Sequence, residues 1–185
     1  MSRFQLGLSA ALFGADDTPC FDPDILAQIL NHSDIETTIM EAGKTHITAE
    51  DAARFDAIYV MLEQVQADNI APDEGSYDGR LRLVARHGVG FESVDVAGMT
   101  RLVIMVTNTA DAVRRPVATM AITMMLAVNH RLIEKHNLTR AGRWKENADF
   151  MGTGLTGKVL GVLGAGSIGM EILRMAAPFD FQLKA

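Results

Sequence analysis

The chain has 185 residues, of which 48% are hydrophobic and 22% are charged, a balance that excludes a disordered chain and suffices for one domain or slightly more. Its net charge of −6 argues against nucleic acid as a partner, because phosphate backbones bind basic surfaces. Cys20 is the single cysteine, which excludes an internal disulfide and favours a reducing, cytoplasmic location, and no apolar run reaches the length of a membrane helix.

Strands and helices alternate over the first 107 residues. Apolar runs predict five strands, at 6–13, 35–40, 57–62, 81–85 and 102–106. Asp22 with Pro23 predicts the start of one helix, and Thr48 followed by acidic residues predicts the start of another. This alternation is typical of a doubly wound, flavodoxin-like α/β domain with parallel strands.

The longest helical pattern is predicted to begin at Pro116 and to end near His136. Its apolar residues between 117 and 128 form a wide stripe, for which we expect packing in a core. A strut between two domains and a dimer surface are the alternatives. A polar segment follows at 140–150, and then a glycine-rich connector at 151–157.

Residues 164–169 read G-A-G-S-I-G, which is the G-x-G-x-x-G spacing of a dinucleotide-binding turn. A buried strand is predicted before this turn and a helix after it, as a Rossmann domain requires. Gly164 is expected to make the turn, Gly166 to admit a pyrophosphate, and Gly169 to let the helix pack on its strand. An ordinary strand–helix turn without a ligand is the alternative.

The predicted nucleotide-binding domain is incomplete in this sequence. Its second strand is expected near 181–185, and the acidic residue that reads the ribose lies about 20 residues after the glycines in this fold. We therefore expect the chain to be the N-terminal portion of a longer protein, or a truncated product, with an incomplete Rossmann domain. The choice between NAD and NADP stays open.

Three segments carry a family resemblance in a fixed order. They read R-H-G-V-G-F-E-S-V-D at 86–95, V-T-N-T-A at 106–110 and L-T-G-K-V-L-G-V-L-G-A-G-S-I-G at 155–169. They resemble the substrate loop, the crossover and the nucleotide fingerprint of the D-isomer-specific 2-hydroxyacid dehydrogenases. Phosphoglycerate dehydrogenases and glyoxylate or hydroxypyruvate reductases are the most similar branches. Ala110 stands where the family usually has proline, and Glu92 where aspartate is commoner.

The resemblance implies a substrate-binding domain over residues 1–107 and an incomplete NAD(P)-binding Rossmann domain over 108–185. It implies an oxidoreductase that transfers hydride between NAD(P)(H) and a small 2-oxo or 2-hydroxy acid. A homodimer is implied for the full-length protein. Neither a membrane nor nucleic acid is expected as a partner.

The resemblance also assigns roles to single residues. The backbone N–H groups of Val89 and Gly90 would hold the substrate carboxylate. Asn108 would lie near the substrate, with a turn-capping asparagine as the alternative. Thr119 would touch the cofactor, with a helix-surface hydroxyl as the alternative. The residues expected at the pyrophosphate are Gly164, Gly166, Ser167, Ile168 and Gly169.

The family's catalytic arginine, glutamate and histidine follow the acidic strand, so the resemblance places them beyond Ala185. None of the five histidines of this sequence stands in a matching context, and His87 is expected to be a loop histidine bonded by backbone. Arg114 and Arg115 are expected to be solvated. No metal-ligand spacing occurs in the sequence.

These expectations predict a chain that is inactive alone. Two other functions stay open. One is an NAD(H)-binding module without enzymatic activity, as in the corepressors that share this fold. The other is an inert fragment whose unpaired strand edge prevents stable folding.

Overall fold

The computed structural model of the protein describes residues 3–14, 16, 18–20, 22–71 and 77–185. The chain divides into two compact units, Met1–Ala110 and Asp111–Ala185. The roles predicted for 1–107 and 108–185 remain predictions.

The first unit is built on five parallel strands with helices between them. The strands are β1 (Phe4–Leu8), β2 (Ile35–Ile39), β3 (Ala57–Val60), β4 (Leu83–Arg86) and β5 (Met105–Thr107). The helices are α1 (Pro23–Leu30), α2 (Ala49–Arg54), α3 (Ala67–Ile70) and α4 (Val96–Arg101). The strand order β2-β1-β3-β4-β5 is the flavodoxin-like order, which confirms the predicted fold class.

Local signals located the starts of α1 and α2 correctly. The Asp22 side chain accepts a hydrogen bond from the Asp24 N–H (2.9 Å), at the start of α1. Thr48 and Asp51 form a capping box at the start of α2: the Thr48 N–H donates to Asp51 Oδ2 (2.9 Å) and the Asp51 N–H to Thr48 Oγ1 (3.4 Å).

Several predicted strand limits are wrong. The chain leaves the sheet after Leu8, because Ser9 caps a short 3-10 turn over Ala10–Leu12. The last strand begins at Met105 and not at residue 102, because Val103 adopts a left-handed conformation (φ 58°) between α4 and β5. Apolar runs marked the buried residues, but these backbone features set the ends of the strands.

The core of the first unit lies around β3 and β4. Ile58, Val60 and Val84 are fully buried in the sheet, and Phe55 packs so closely on β1 that a Cβ at Gly7 would lie 3.0 Å from its ring. Because helices cover strands that are apolar on both faces, the sheet is fixed in place. Its carboxyl edge therefore carries the loops that can form a site.

The second unit contains three α-helices and two strands, together with 3-10 helices at Trp144–Phe150 and Ala177–Phe179. The α-helices and strands are α5 (Ala110–Asn129), α6 (Leu132–Arg140), β6 (Val159–Gly161), α7 (Ser167–Ala176) and β7 (Gln182–Lys184). The two strands pair in parallel, with Leu160 opposite Leu183. A single βαβ unit is what a partial Rossmann domain provides.

The predicted long helix differs from the observed one at both ends. Pro116 lies inside α5, since it removes only the bond to one carbonyl while the alanines around it favour helix. The helix does not reach His136, because Arg131 adopts a left-handed conformation (φ 51°) that separates α5 from α6. No single helix among the described residues could cross a membrane by length and hydropathy, although α5 and α6, bent by 61°, meet that test as a pair.

The apolar stripe of α5 is not packed in a core. Val117, Met120, Met124 and Val128 are between 44% and 76% exposed, and of the residues in α5 only Ala118 and Ile122 are buried. The expectation of core packing is wrong for these four residues, since the contacts of α7 with α5 fall on another side of the helix.

Candidate functional site

A glycine loop follows β4 at the carboxyl edge of the first sheet. Gly88 has φ +109°, a left-handed conformation that favours glycine. Val89 and Gly90, predicted to hold a carboxylate, come directly after it, and Val89 is 37% exposed. The fold thus places both residues at the edge where ligands bind in open α/β sheets.

The end of β5 is hydrogen-bonded to this loop. Asn108 Nδ2 donates to the carbonyl of Val89 (2.9 Å). The Thr109 hydroxyl accepts from the Gly88 N–H (2.8 Å), and the Thr109 N–H donates to the Gly88 carbonyl (2.9 Å). Asn108 therefore lies beside the predicted loop. Sequence reasoning missed Thr109, although the chain positions directly after two neighbouring parallel strands indicate such a contact.

Two amide groups of the loop are left available. In the described part of the chain, neither the Val89 N–H nor the Gly90 N–H donates a hydrogen bond. Successive unpaired N–H groups on a glycine-rich bend form a concavity that suits an anion. The loop can therefore receive a small carboxylate without any rearrangement of its own hydrogen bonds.

Charged side chains of both signs flank the loop. A Cβ at Gly88 would lie 2.6 Å from Arg86 Nη1, and a Cβ at Gly90 would lie 2.5 Å from Glu92 Oε2. The Nε of Arg86 is buried and has no hydrogen-bond partner among the described residues. A carboxylate at the loop would be attracted by Arg86 and repelled by Glu92.

An apolar depression of about 450 Å³ adjoins the loop. Phe91, Val96 and Val106 form its apolar wall, while Thr107 and Asn108 supply polar groups. Such a lining suits a small organic acid, whose carbon chain needs an apolar wall next to the group that holds its charge.

His87 is bonded by a side chain, not only by backbone. Its N–H donates to the Val60 carbonyl (2.8 Å), but its Nδ1 lies 2.7 Å from the Tyr59 hydroxyl and the two rings meet edge to face. The expectation of a histidine bonded by backbone alone is wrong, because β3 and β4 pair so that both rings lie together. Burial raises the pKa of Tyr59, and the nearby positive charge of Arg86 offsets part of that rise.

A buried carboxylate fixes the neighbouring turn after β3. Glu63 is 3% exposed; its Oε1 accepts from the Ser9 hydroxyl (2.5 Å) and its Oε2 from the N–H groups of Met61 (2.9 Å) and Leu62 (3.0 Å). Sequence reasoning missed this group, whose partners lie on two strands. It stabilises the edge of the sheet and has no exposed atom with which to act on a ligand.

The second unit carries the predicted nucleotide turn between β6 and α7. Gly164 has φ +98°, as a turn glycine requires. A Cβ at Gly169 would collide with the Gly164 carbonyl oxygen, so only glycine fits there, whereas a Cβ at Gly166 would meet nothing within 4 Å. Gly166 therefore faces open space, as expected of a position that a pyrophosphate approaches.

The amides of this turn are also available. No side chain caps α7 at Gly166, and in the described part of the chain the N–H groups of Ser167 and Ile168 donate to no acceptor. Unsatisfied amides at a helix N-terminus attract a phosphate group. A depression of about 350 Å³ lies over the turn. Its lining includes Gly164, Gly166, Ser167, Ile168 and Gly169.

Thr119 does not line this depression. Its hydroxyl donates to the Arg115 carbonyl (2.9 Å) and lies 3.9 Å from Met175 Sδ. These contacts are those of a helix-surface hydroxyl next to α7. The cofactor contact of Thr119 stays a prediction.

An ion-pair cluster joins α5 to α7. Glu171 is 4% exposed and lies between Arg115, whose Nη1 is 3.4 Å from Oε1, and Arg174, which bonds Oε2. Among the described residues, Arg114 forms an ion pair only with the exposed Asp111. Arg115 is exposed as predicted, yet it also holds a buried carboxylate and so steadies the helix that follows the turn.

No group of three or more histidine, cysteine, aspartate or glutamate side chains among the described residues could hold a metal ion. Each unit, taken by itself, presents one set of free backbone amides.

Comparisons with known proteins identify a family model and relatives that this chain resembles. Residues 122–185 match the family model of the D-isomer specific 2-hydroxyacid dehydrogenase, NAD binding domain. The chain is 36% identical over 143 residues to a glyoxylate reductase of Thermococcus gammatolerans, which covers 74% of the chain and 42% of the relative. The chain thus spans less than half the length of this curated relative.

Solved structures are similar over nearly the whole chain. An NAD-dependent formate dehydrogenase from Staphylococcus aureus in complex with NAD has a TM-score of 0.74 at 21% identity, covering 97% of the chain and 55% of that structure. A 2-hydroxyacid dehydrogenase from Ketogulonicigenium vulgare Y25 has a TM-score of 0.71 at 25% identity, covering 99% and 54%. The first of these establishes likeness of fold alone.

Proposed function

We propose that this chain, which belongs to the D-isomer-specific 2-hydroxyacid dehydrogenase family, supplies the anion-binding parts of an oxidoreductase that acts on a small 2-oxo or 2-hydroxy acid with NAD(P)(H). The observation that carries the proposal is the uncapped N-terminus of α7, where free amides face open space within the segment that matches an NAD-binding domain.

The nucleotide turn binds the pyrophosphate in this proposal. Gly166, Ser167 and Ile168 present amides, while Gly164 and Gly169 keep the turn and the helix in register. The bound nicotinamide supplies or accepts the hydride. Both NAD and NADP are compatible with these amides.

The glycine loop binds the substrate carboxylate. The N–H groups of Val89 and Gly90 are free to donate to the carboxylate. The Asn108 amide can add a third donor, because only one of its two side-chain N–H groups is used by the Val89 carbonyl. The small apolar wall beside the loop favours short 2-oxo acids such as glyoxylate.

Proton transfer is not assigned to these 185 residues. His32, His46, His130 and His136 form no ion pair with a carboxylate in the described part of the chain. We propose that the arginine, glutamate and histidine of the family act from elsewhere in the whole protein, so that this chain alone does not turn over. The whole protein is proposed to be cytoplasmic and homodimeric, without nucleic-acid or membrane partners.

Titration of NADH against the chain, followed by fluorescence, and the absorbance of NADH with glyoxylate present test both parts. We expect saturable binding without oxidation of NADH. Absence of binding at millimolar NADH would contradict the proposal and favour an inert fragment. Oxidation of NADH by the purified chain would contradict the assignment of proton transfer to other residues.

A non-enzymatic NAD(H)-binding module is the second candidate. It is favoured by the combination of an intact nucleotide turn with the lack of a histidine–carboxylate pair at the four histidines named above. Retention of a protein partner that depends on added NADH would favour this candidate, whereas turnover by the whole protein would exclude it.

A further inference from the structure

Hydrogen bonds from Thr109, the residue after Asn108, hold the glycine loop that is proposed to bind the carboxylate. Thr109 contacts Gly88 through three hydrogen bonds. Its hydroxyl accepts from the Gly88 N–H (2.8 Å) and donates over a longer distance to the Gly88 carbonyl (3.4 Å), and its own N–H donates to the same carbonyl (2.9 Å). These bonds hold one glycine, 21 positions earlier in the sequence, at both its N–H and its carbonyl. Asn108 extends the same contact to the next carbonyl, that of Val89.

A loop of this composition needs such support. Gly88 and Gly90 have more backbone freedom than other residues, and Gly88 adopts a left-handed conformation (φ +109°). If the loop were free, binding of an anion would have to order it, and that ordering weakens affinity. A loop already bonded through Gly88 presents its next two amides in one direction before the anion arrives.

We propose that Thr109 is a positioning residue that holds the Val89 and Gly90 amides in place for the substrate carboxylate. This inference rests on the proposed function of the loop. Thr109 does not touch the carboxylate in this account; its hydroxyl is already engaged with the Gly88 N–H, which removes that amide from the set of free donors. The backbone donors that remain free are the N–H groups of Val89 and Gly90.

The position of Thr109 argues against the usual role of a threonine before a helix. It directly precedes α5, where a threonine hydroxyl commonly accepts from an amide of the first helical turn. Here the hydroxyl accepts from the glycine loop. Thr109 is exposed, so its replacement leaves no cavity in the core.

The test is a titration of the ¹⁵N-labelled chain with sodium glyoxylate, read at the Val89 and Gly90 amide resonances. In Thr109→Val, which keeps the shape but loses the hydroxyl, we expect the Kd for glyoxylate to rise about three- to tenfold, as for one lost hydrogen bond. Exchange of the Gly88 amide with solvent should also become faster. Thr109→Ser, which keeps the hydroxyl, should retain the wild-type Kd for glyoxylate and the wild-type exchange rate of the Gly88 amide. The matched control is Thr100→Val, which removes a hydroxyl bonded only to Val96 within α4 and should change neither.

The outcomes separate this inference from the function on which it rests. If glyoxylate leaves the Val89 and Gly90 amides of the wild-type chain unshifted, the carboxylate site itself is wrong. If those amides shift but Thr109→Val binds glyoxylate as well as wild type, the positioning role is overturned and the site stands. Equal weakening by Thr109→Ser also overturns it. Should Thr109→Val not fold, Thr109→Ala is compared with Thr109→Ser by the same criteria.

Discussion

The three glycines of the nucleotide turn are required for three different physical reasons. Gly164 is fixed by its positive φ, Gly169 by contact with the Gly164 carbonyl oxygen, and Gly166 by neither. The open space at Gly166 is explained if a ligand fills it. One spacing in the sequence thus combines a conformational and a packing requirement with a proposed binding position at Gly166.

Alanine substitutions distinguish these reasons. Gly169→Ala should destabilise the second unit by about 1–3 kcal/mol, as overpacking does, measured by thermal unfolding. Gly166→Ala should leave unfolding unchanged but weaken NADH binding about tenfold, measured by calorimetry, because its methyl group enters the pyrophosphate's space. Gly154→Ala is the control, since its Cβ also meets nothing within 4 Å but lies outside the turn. Wild-type NADH affinity in Gly166→Ala would contradict the proposed binding site.

The backbone of Val103 adopts a strained conformation that could not be predicted from the sequence. It is a β-branched residue with φ 58°, and its side chain is 81% exposed, so little packing compensates for the conformation. Val103→Asn should raise the free energy of unfolding by about 1 kcal/mol, because asparagine tolerates this region. Denaturant unfolding measures the change, with Val128→Asn on the exposed face of α5 as the control. No stabilisation specific to position 103 would refute this expectation.

Single-residue contacts across the sheet could not be predicted. The G-x-G-x-x-G spacing and the residues 88–90 are local signals, and they correctly located two loops. The Tyr59–His87 and Ser9–Glu63 pairs join residues on or shortly after different strands, and the Thr109–Gly88 bonds join two loops. Such contacts depend on strand order and register, neither of which a single sequence specifies.

At the scale of the elements, helix starts were more predictable than ends. Asp22 and Thr48 supply cap side chains within three residues of their partners, so the signal is contained in the sequence. The end of β1 and the break after α5 follow from Ser9 and Arg131, whose conformations depend on packing around them. This explains why a long helix was correctly predicted in this region although its limits were wrong.

The start of helix α2 is stabilised by a titratable group, the carboxyl of Asp51. Asp51 accepts from the Thr48 N–H and hydroxyl, and its Oδ2 lies 2.7 Å from Lys44 Nζ. Burial alone would raise the pKa of Asp51, but the hydrogen bonds from Lys44 and Thr48 hold it below the usual value of 3.8. The ionised form is therefore the one that stabilises the fold.

The stability contributed by Asp51 should depend on pH. Because its folded pKa is lowered, the contribution is fully present above the unfolded pKa and is lost as pH falls through the folded value. Asp51→Asn should cost about 1–2 kcal/mol at pH 7, measured by urea unfolding, with the gap to wild type closing below about pH 4. Asp24→Asn at the exposed start of α1 is the control. A gap that stays constant down to pH 2 would contradict this account of the pKa.

At the scale of the whole chain, the alternating pattern predicted the fold class of the first unit, and the glycine turn between a strand and a helix predicted that of the second. Neither signal revealed that the α5 stripe stays exposed. Burial of that stripe depends on which surfaces meet it, and a hydrophobic pattern does not specify them. Each unit nevertheless presents one set of free amides at a glycine-rich bend.

The most direct test of the account is the ¹⁵N amide spectrum of the whole chain with NADH added. We expect the Gly166, Ser167 and Ile168 amides to shift most, and we expect nicotinamide riboside, which has no phosphate group, to leave them unshifted. Binding of NADH that leaves these three amides unshifted would contradict the proposal that the N-terminus of α7 holds the pyrophosphate.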